Sequence, residues 1–240
     1  MNEQKKRKRK TFLLITSLFL TTYITSKIFK NVYSQDISIV GSELLSVEDL
    51  VANSSLNLPT PLIFIKTKFT EKELKKNLSL KNVLVSRQIF PFGLKILMKT
   101  RIPIAYGEKI FKGEKINGFI DEDGFFIYEK YADIENIKRL SSKVFGWDEE
   151  FREILSIILK FQKNNEVEFD TIEFSSNGFL TIDEKNLKTI YLGADPTIIE
   201  IQLQIISIIK NQIIENELLK KIDNIDLTDP NNPKIKVFKP

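Results

Sequence analysis

Residues 37–50 read ISIVGSELLSVEDL, and this stretch contains a strand signal followed directly by a helix signal. Polar and apolar residues alternate from Asp36 to Ile39 and the run stops at Gly41, as in a half-buried β-strand that ends in a turn. Ser46 precedes Asp49 by three residues, which is the spacing of a capping box at a helix N-terminus. The sequence therefore predicts a strand that leads into a short helix.

The elements that follow complete a small domain. They are a second helix and two strands, expected at Thr70–Leu80, Asn82–Phe90 and Leu94–Thr100. Leu74 and Leu78 lie four residues apart and would share the apolar face of that helix. A Pro-Phe-Gly turn separates the two strands. The predicted order is strand, helix, helix, strand, strand, in a domain that we place at residues 35–103.

Upstream of this domain, the chain begins with consecutive basic residues that run into an uncharged stretch. The basic residues are Lys5, Lys6, Arg7, Lys8, Arg9 and Lys10, and the uncharged stretch is Thr11–Ser26. Basic residues before an apolar helix are typical of a membrane anchor whose N-terminus stays in the cytoplasm. The sixteen uncharged residues span about 24 Å as a helix, whereas the hydrocarbon core is about 30 Å thick. We therefore predict a cytoplasmic tail at 1–10 and a transmembrane helix at 11–29, with Lys27 snorkelling at the outer interface.

The net charge of the chain is concentrated in this tail. Residues 1–10 carry +5 and the whole chain +4, so the remainder sums to −1. The basic pI therefore reflects the anchor and gives no reason to expect binding to nucleic acid. A cleaved secretory signal is the alternative, because it also combines a basic segment with an apolar run. Lys27 and Lys30 lie between the apolar run and a cleavage-like site at 32–34, and they favour an uncleaved anchor.

Composition excludes several kinds of catalytic site. The chain has no Cys and no His, which rules out cysteine nucleophiles, Ser-His-Asp triads, imidazole zinc sites and disulfides. We predict no cofactor and no bound metal. The alternative function is a membrane-anchored cell-wall hydrolase with paired carboxylates, for which the candidates are Asp121 with Asp123, and Glu149 with Glu150. The first pair flanks a turn and the second opens a helix, so both have structural explanations.

Residues 104–240 predict a mixed α/β domain with a mainly antiparallel sheet. Asp123-Gly124 separates two short apolar runs, which predicts a hairpin with a two-residue type I′ turn. Helical periodicity predicts a helix at 147–161, and a first-turn proline predicts the start of another at 196–215. Apolar runs predict strands at 167–174, 179–182, 189–192, 222–228 and 234–238. The fold class is therefore α+β behind a single transmembrane helix. An outer-membrane assembly factor is excluded, because no series of barrel strands follows residue 104.

The segments in this order resemble the FtsQ/DivIB family of bacterial cell-division proteins. The residues that carry the resemblance are Ile37–Gly41, Leu45–Leu50, Val83–Arg87, Phe90–Ile96, Arg101–Ala105, Phe119–Gly124 and Ile225–Leu227. The resemblance implies a POTRA domain at 35–103 and a β domain at 104–240. It also implies a single-pass type II protein of the inner (plasma) membrane at the division septum, which lacks catalytic activity.

The family's role implies a set of protein partners for this chain. Such a scaffold links early and late division proteins and helps to control septal peptidoglycan synthesis. FtsB-like and FtsL-like partners pair with the end of the β domain, and FtsK-like and FtsW/FtsI-like proteins are further expected partners. The expected partner-binding residues are Ile225, Leu227, Lys234, Ile235, Lys236, Val237 and Phe238. Lysines on an edge strand also protect against aggregation, so the sequence leaves open whether this edge binds or protects.

Overall fold

The computed structural model describes residues 3–42, 44–132, 137, 140–165, 167–175, 178–215 and 222–237. The chain divides into two compact units, Met1–Thr100 and Arg101–Pro240. The first unit contains an apolar N-terminal helix and a three-stranded sheet, and the second contains a nine-stranded sheet. The predicted α+β class is confirmed.

Helix α1 (Glu3–Ile28) begins the first unit. Its Arg7–Ile28 part is long and apolar enough to cross a membrane, and its most apolar stretch is not buried inside the protein. The helix thus includes residues 11–28 of the predicted 11–29 span and most of the basic tail. Lys5 and Lys6 lie in α1, but their side chains are outside the described part of the chain. The side chains of residues 7–10 are exposed.

The rest of the first unit has the predicted order of strand, helix, helix, strand, strand. Its elements are β1 (Asn31–Val32), β2 (Ile37–Val40), α2 (Val47–Ala52), β3 (Thr60–Pro61), α3 (Thr67–Asn77), β4 (Asn82–Gln88) and β5 (Gly93–Lys99). Strand β5 lies between β2, to which it is parallel, and β4, to which it is antiparallel. The sequence did not predict β1 and β3, a two-residue pair next to the end of α1.

The start of α2 was predicted correctly, whereas the start of α3 was not. The capping box of α2 is present: the Ser46 hydroxyl accepts a hydrogen bond from the Asp49 amide, and the Asp49 carboxylate accepts one from the Ser46 amide. The start of α3 was predicted at Thr70 but lies at Thr67. Thr70 is buried and its hydroxyl donates to the Lys66 carbonyl, one turn earlier, so it belongs to the helix interior and does not act as a cap.

The described part of the second unit contains one mixed sheet and two long helices. Its elements are β6 (Ala105–Phe111), β7 (Glu114–Ile120), β8 (Phe126–Tyr128), β9 (Lys143–Phe145), α4 (Arg152–Asn165), β10 (Phe169–Phe174), β11 (Phe179–Glu184), β12 (Lys188–Gly193), α5 (Ile199–Glu215), β13 (Ile222–Asp226) and β14 (Lys234–Val237). The sheet order is β14-β13-β12-β11-β10-β9-β6-β7-β8. Five of its eight strand pairs are antiparallel, as the sequence predicted.

Helices α4 and α5 pack against the core of this sheet, and each begins a few residues later than expected. Helix α4 begins at Arg152 rather than Trp147, because a 3₁₀ turn at Glu149–Phe151 precedes it. Helix α5 begins at Ile199 rather than Pro196, after a turn in which the Asp195 carboxylate accepts a hydrogen bond from the Thr197 amide. The two helices contact each other and contribute to the same apolar core.

The hairpin at Asp123-Gly124 is present, but its connection is longer than the predicted two residues. Ile120 pairs with Phe126, so five residues join β7 to β8. A two-residue turn occurs instead at Lys112-Gly113, where Phe111 pairs with Glu114 and both turn residues have positive φ. Lys-Gly is a weaker hairpin signal than Asp-Gly, which is why the sequence did not reveal this turn.

Candidate partner-binding edge

Strand β14 forms one edge of the nine-stranded sheet and is exposed along its whole length. It pairs only with β13 among the described residues, in an antiparallel register that places Ile235 opposite Ile225. Its other side therefore presents backbone groups to which a further strand can hydrogen-bond. The predicted edge position of this strand agrees with the structure up to Val237. Phe238 lies outside the described residues.

Two apolar side chains of β14 extend the core face of the sheet beyond its helical cover. Ile235 and Val237 are 45% and 50% exposed. Directly paired residues project to the same face of a sheet, and their partners Ile225 and Ile222 are buried in the core. The apolar surface of the core thus continues onto β14, where no described element covers it.

A β-bulge in β13 allows both Ile222 and Ile225 to face the core. Ile222 and Ile225 are three residues apart, so a regular strand would place them on opposite faces. The register shifts between Ile222 and Asn224, and the extra residue returns Ile225 to the core face. The same device occurs in β10, where a shift between Phe169 and Thr171 lets Phe169 and Ile172 both be buried.

Ile225 and Leu227, which were expected to contact partners, lie fully buried in the core. Their side chains therefore support the edge and are not available at its surface. The Leu227 carbonyl accepts a hydrogen bond of 2.7 Å from the Gln202 amide of α5, and its own amide donates to Tyr191. Gln202 is fully buried. The contact made by Gln202 was not predicted, although a glutamine among the apolar positions of a helix indicates a buried polar contact.

The turn between β13 and β14 is closed by its own polar side chains. The Asp226 carboxylate accepts hydrogen bonds from the hydroxyl and the backbone amide of Thr228. These two bonds hold the pKa of Asp226 below its ordinary value of 3.8. The Asp229 carboxylate likewise accepts from the Asn231 amide. Lys236 forms an ion pair with Asp223 at 3.4 Å, which ties β14 to the bulge of β13.

One carboxylate of each pair in the hydrolase alternative is engaged in structural contacts. Asp121 is buried and lies 2.5 Å from the Arg101 guanidinium, and it also accepts hydrogen bonds from the amides of Asp123 and Phe125. Glu149 forms an ion pair with Arg152 on the next turn. Among the described residues, no group of three or more acidic side chains could hold a metal ion.

The space between α3 and β4 contains buried apolar side chains and a polar contact between the two elements. Leu74, Leu78 and Val85 are buried there, and Val83 is half-buried. The Glu71 carboxylate of α3 also accepts a hydrogen bond of 2.9 Å from the Val85 amide on β4. This contact occupies part of the edge of β4 and leaves β14 as the better candidate for strand addition.

Comparison with known proteins identifies one domain of this chain. Residues 34–99 match the POTRA domain, FtsQ-type. The matched range corresponds to the part of the first unit that follows α1. A search of curated proteins finds no match to the chain.

Proposed function

We propose, from the FtsQ-type POTRA domain at residues 34–99, that this chain is a cell-division protein of the FtsQ/DivIB family and acts as a non-catalytic, membrane-anchored scaffold of the division septum. In this proposal α1 holds the protein in the inner membrane as a single-pass type II protein, and the rest of the chain lies outside the cytoplasm. The scaffold links early and late division proteins and helps to control septal peptidoglycan synthesis through protein contacts.

The exposed strand β14 is the observation on which the scaffold proposal depends. We place the contact with FtsB-like and FtsL-like partners at Lys234, Ile235, Lys236 and Val237. A partner strand gains backbone hydrogen bonds along the edge, while its apolar side chains cover Ile235 and Val237. The ammonium groups of Lys234 and Lys236 would attract an acidic partner segment and steer its approach. FtsK-like and FtsW/FtsI-like proteins would use other surfaces.

Replacing the two apolar residues of β14 is expected to weaken partner binding. Ile235→Asp combined with Val237→Asp should lower the affinity for the exported regions of the FtsB-like and FtsL-like proteins by at least about tenfold, because a buried charge opposes burial of the strand. The measurement is co-purification followed by titration of the full-length protein in detergent.

Phe179→Asp provides the matched control for this double variant. Phe179 is 52% exposed and lies on the inner strand β11, so its replacement puts an aspartate at an exposed apolar position away from the edge. Its affinity should stay within about twofold of the parent. Equal binding by the parent and the double variant would mean that β14 only protects the sheet against aggregation.

A fluorescent fusion tests the cellular role separately from the binding surface. We expect a band at midcell in dividing cells, and loss of this band when residues 1–29 are removed, because the partners are membrane proteins. The control is a fusion with α1 replaced by an unrelated transmembrane helix, which should restore the band if α1 serves only as an anchor. A uniform envelope signal throughout the cell cycle would contradict the septal role.

A further inference from the structure

Exposed aromatic side chains surround the outer end of α1. Phe29 follows the helix directly, Phe64 lies on the 3₁₀ turn Leu62–Phe64 that contacts α1, and Phe90 lies in the loop between β4 and β5. All three are more than half exposed. Phe90 is 89% exposed, the highest value for a large apolar side chain in the described part of the protein. Exposed aromatics grouped in this way mark an interaction surface.

The loop that carries Phe90 is held beside the end of the helix. The Lys30 ammonium lies 4.7 Å from the centre of the Phe92 ring, and the Lys27 ammonium lies 5.7 Å from the same ring. Both distances are in the range of cation–π contacts. Phe90 is two residues from Phe92 and so within about 7 Å of it along the chain. The loop therefore lies at the level at which the uncharged part of α1 ends.

A second loop is attached at the same level. The Leu62 amide donates a hydrogen bond of 3.1 Å to the Lys30 carbonyl, and β1 pairs with β3 immediately before this turn. Phe64 is thereby placed near the same end of α1 as Phe90. If α1 spans the bilayer, its Lys27 end lies at the outer interface, where aromatic rings and lysines are the favoured residues.

We propose that Phe90, together with Phe64 and Phe29, inserts into the headgroup region of the membrane that α1 crosses. The partner of this surface is the lipid bilayer, and anionic headgroups complement the ammonium groups of Lys27 and Lys30. The inference rests on the anchoring role of α1 in the proposed function. Its consequence is that the POTRA domain contacts the membrane through two loops in addition to its helix, and this fixes its orientation on the surface.

Single-cysteine labelling tests this insertion, since the chain contains no cysteine. The full-length Phe90→Cys protein carries an environment-sensitive fluorophore in lipid nanodiscs of phosphatidylethanolamine and phosphatidylglycerol, with no other protein present. Nitroxides attached to the lipid headgroup or to the upper acyl chain quench labels at that depth. We expect headgroup nitroxides to quench the label at position 90 at least about threefold more than a label outside the membrane. A label at Phe64→Cys should behave in the same way.

Two further positions serve as controls. Leu84→Cys carries the label on β4, at a side chain that is 48% exposed and about 20 Å from Phe90 along the strand, and it should show only weak quenching. Leu18→Cys lies in the middle of α1 and should be quenched by nitroxides deep in the acyl chains. Equal quenching at 84 and 90, with strong quenching at 18, would overturn membrane insertion of the loop while preserving the anchor. Absence of quenching at 18 would overturn the anchor and the insertion together.

Discussion

Asp121→Ala is expected to destabilise the second unit by about 3–5 kcal/mol. Asp121 and Arg101 are both buried, and their side chains are 2.5 Å apart. Removing the carboxylate leaves a buried guanidinium without its counter-charge, and this is the costly way to break such a pair. The amides of Asp123 and Phe125 also lose their acceptor, so the loop between β7 and β8 loses its internal support.

Trp147 makes this change measurable in the full-length protein. It is the only tryptophan in the chain, and its indole N–H donates a hydrogen bond of 2.8 Å to the Gly124 carbonyl in the same loop. Urea unfolding in detergent, followed by tryptophan fluorescence, therefore reports on the second unit. The expected result is a large shift of the midpoint to lower urea.

The neighbouring residue Asp123 provides the control for this experiment. Its side chain is partly exposed and lies 3.9 Å from Lys160, and alanine keeps the backbone amide that donates to Asp121. Asp123→Ala should therefore lower the free energy of unfolding by about 1 kcal/mol or less, well below the cost of Asp121→Ala. In a further variant, Arg101→Met with Asp121→Leu, both charges are removed, and much of the stability should return. A single variant as stable as the parent would show that the ion pair is not structural.

This pair also illustrates what the sequence could and could not predict. Arg101 and Asp121 both belong to segments that carry the family resemblance, but nothing in their spacing indicates that they meet. Their contact depends on the pairing of β6 with β7, because Arg101 precedes β6 and Asp121 follows β7. The strand at 37–40 and the capping box at Ser46 were predictable, because alternation and capping are local properties of the chain. Contacts between distant elements have no such local pattern.

The candidate edge was predictable in its position but not in its side chains. Alternation indicated a terminal strand, and the structure places it at the edge of the sheet. Ile225 and Leu227 were expected at the partner surface, yet both are buried, because the bulge in β13 turns Ile225 towards the core. A bulge adds one residue without a strong sequence signal. The hydrogen bond from Gln202 to Leu227 was not predicted either, because it joins residues 25 positions apart and has no local sequence pattern.

Gly93→Ala is expected to destabilise the POTRA domain by about 3 kcal/mol or more. Gly93 has φ +139°, a conformation that side chains rarely adopt, and a Cβ atom there would lie 1.8 Å from the Asp36 carbonyl oxygen. This carbonyl immediately precedes β2, whose Ile37 pairs with Leu94 of β5. An alanine therefore has to separate β2 from the central strand of the sheet, in addition to straining the backbone.

Hydrogen exchange of the full-length protein in detergent measures this effect, because the first unit contains no tryptophan. Peptides that cover β4 and β5 should exchange at least about 100-fold faster in the variant, as expected when the domain opens more easily. Gly113→Ala is the control, measured on peptides that cover β6 and β7: Gly113 also has positive φ, but no atom lies within 4 Å of the added methyl group. Its cost should be about 1 kcal/mol, from the backbone alone. Similar costs for the two variants would mean that conformational strain, and not the approach of the Asp36 carbonyl, accounts for the glycine at position 93.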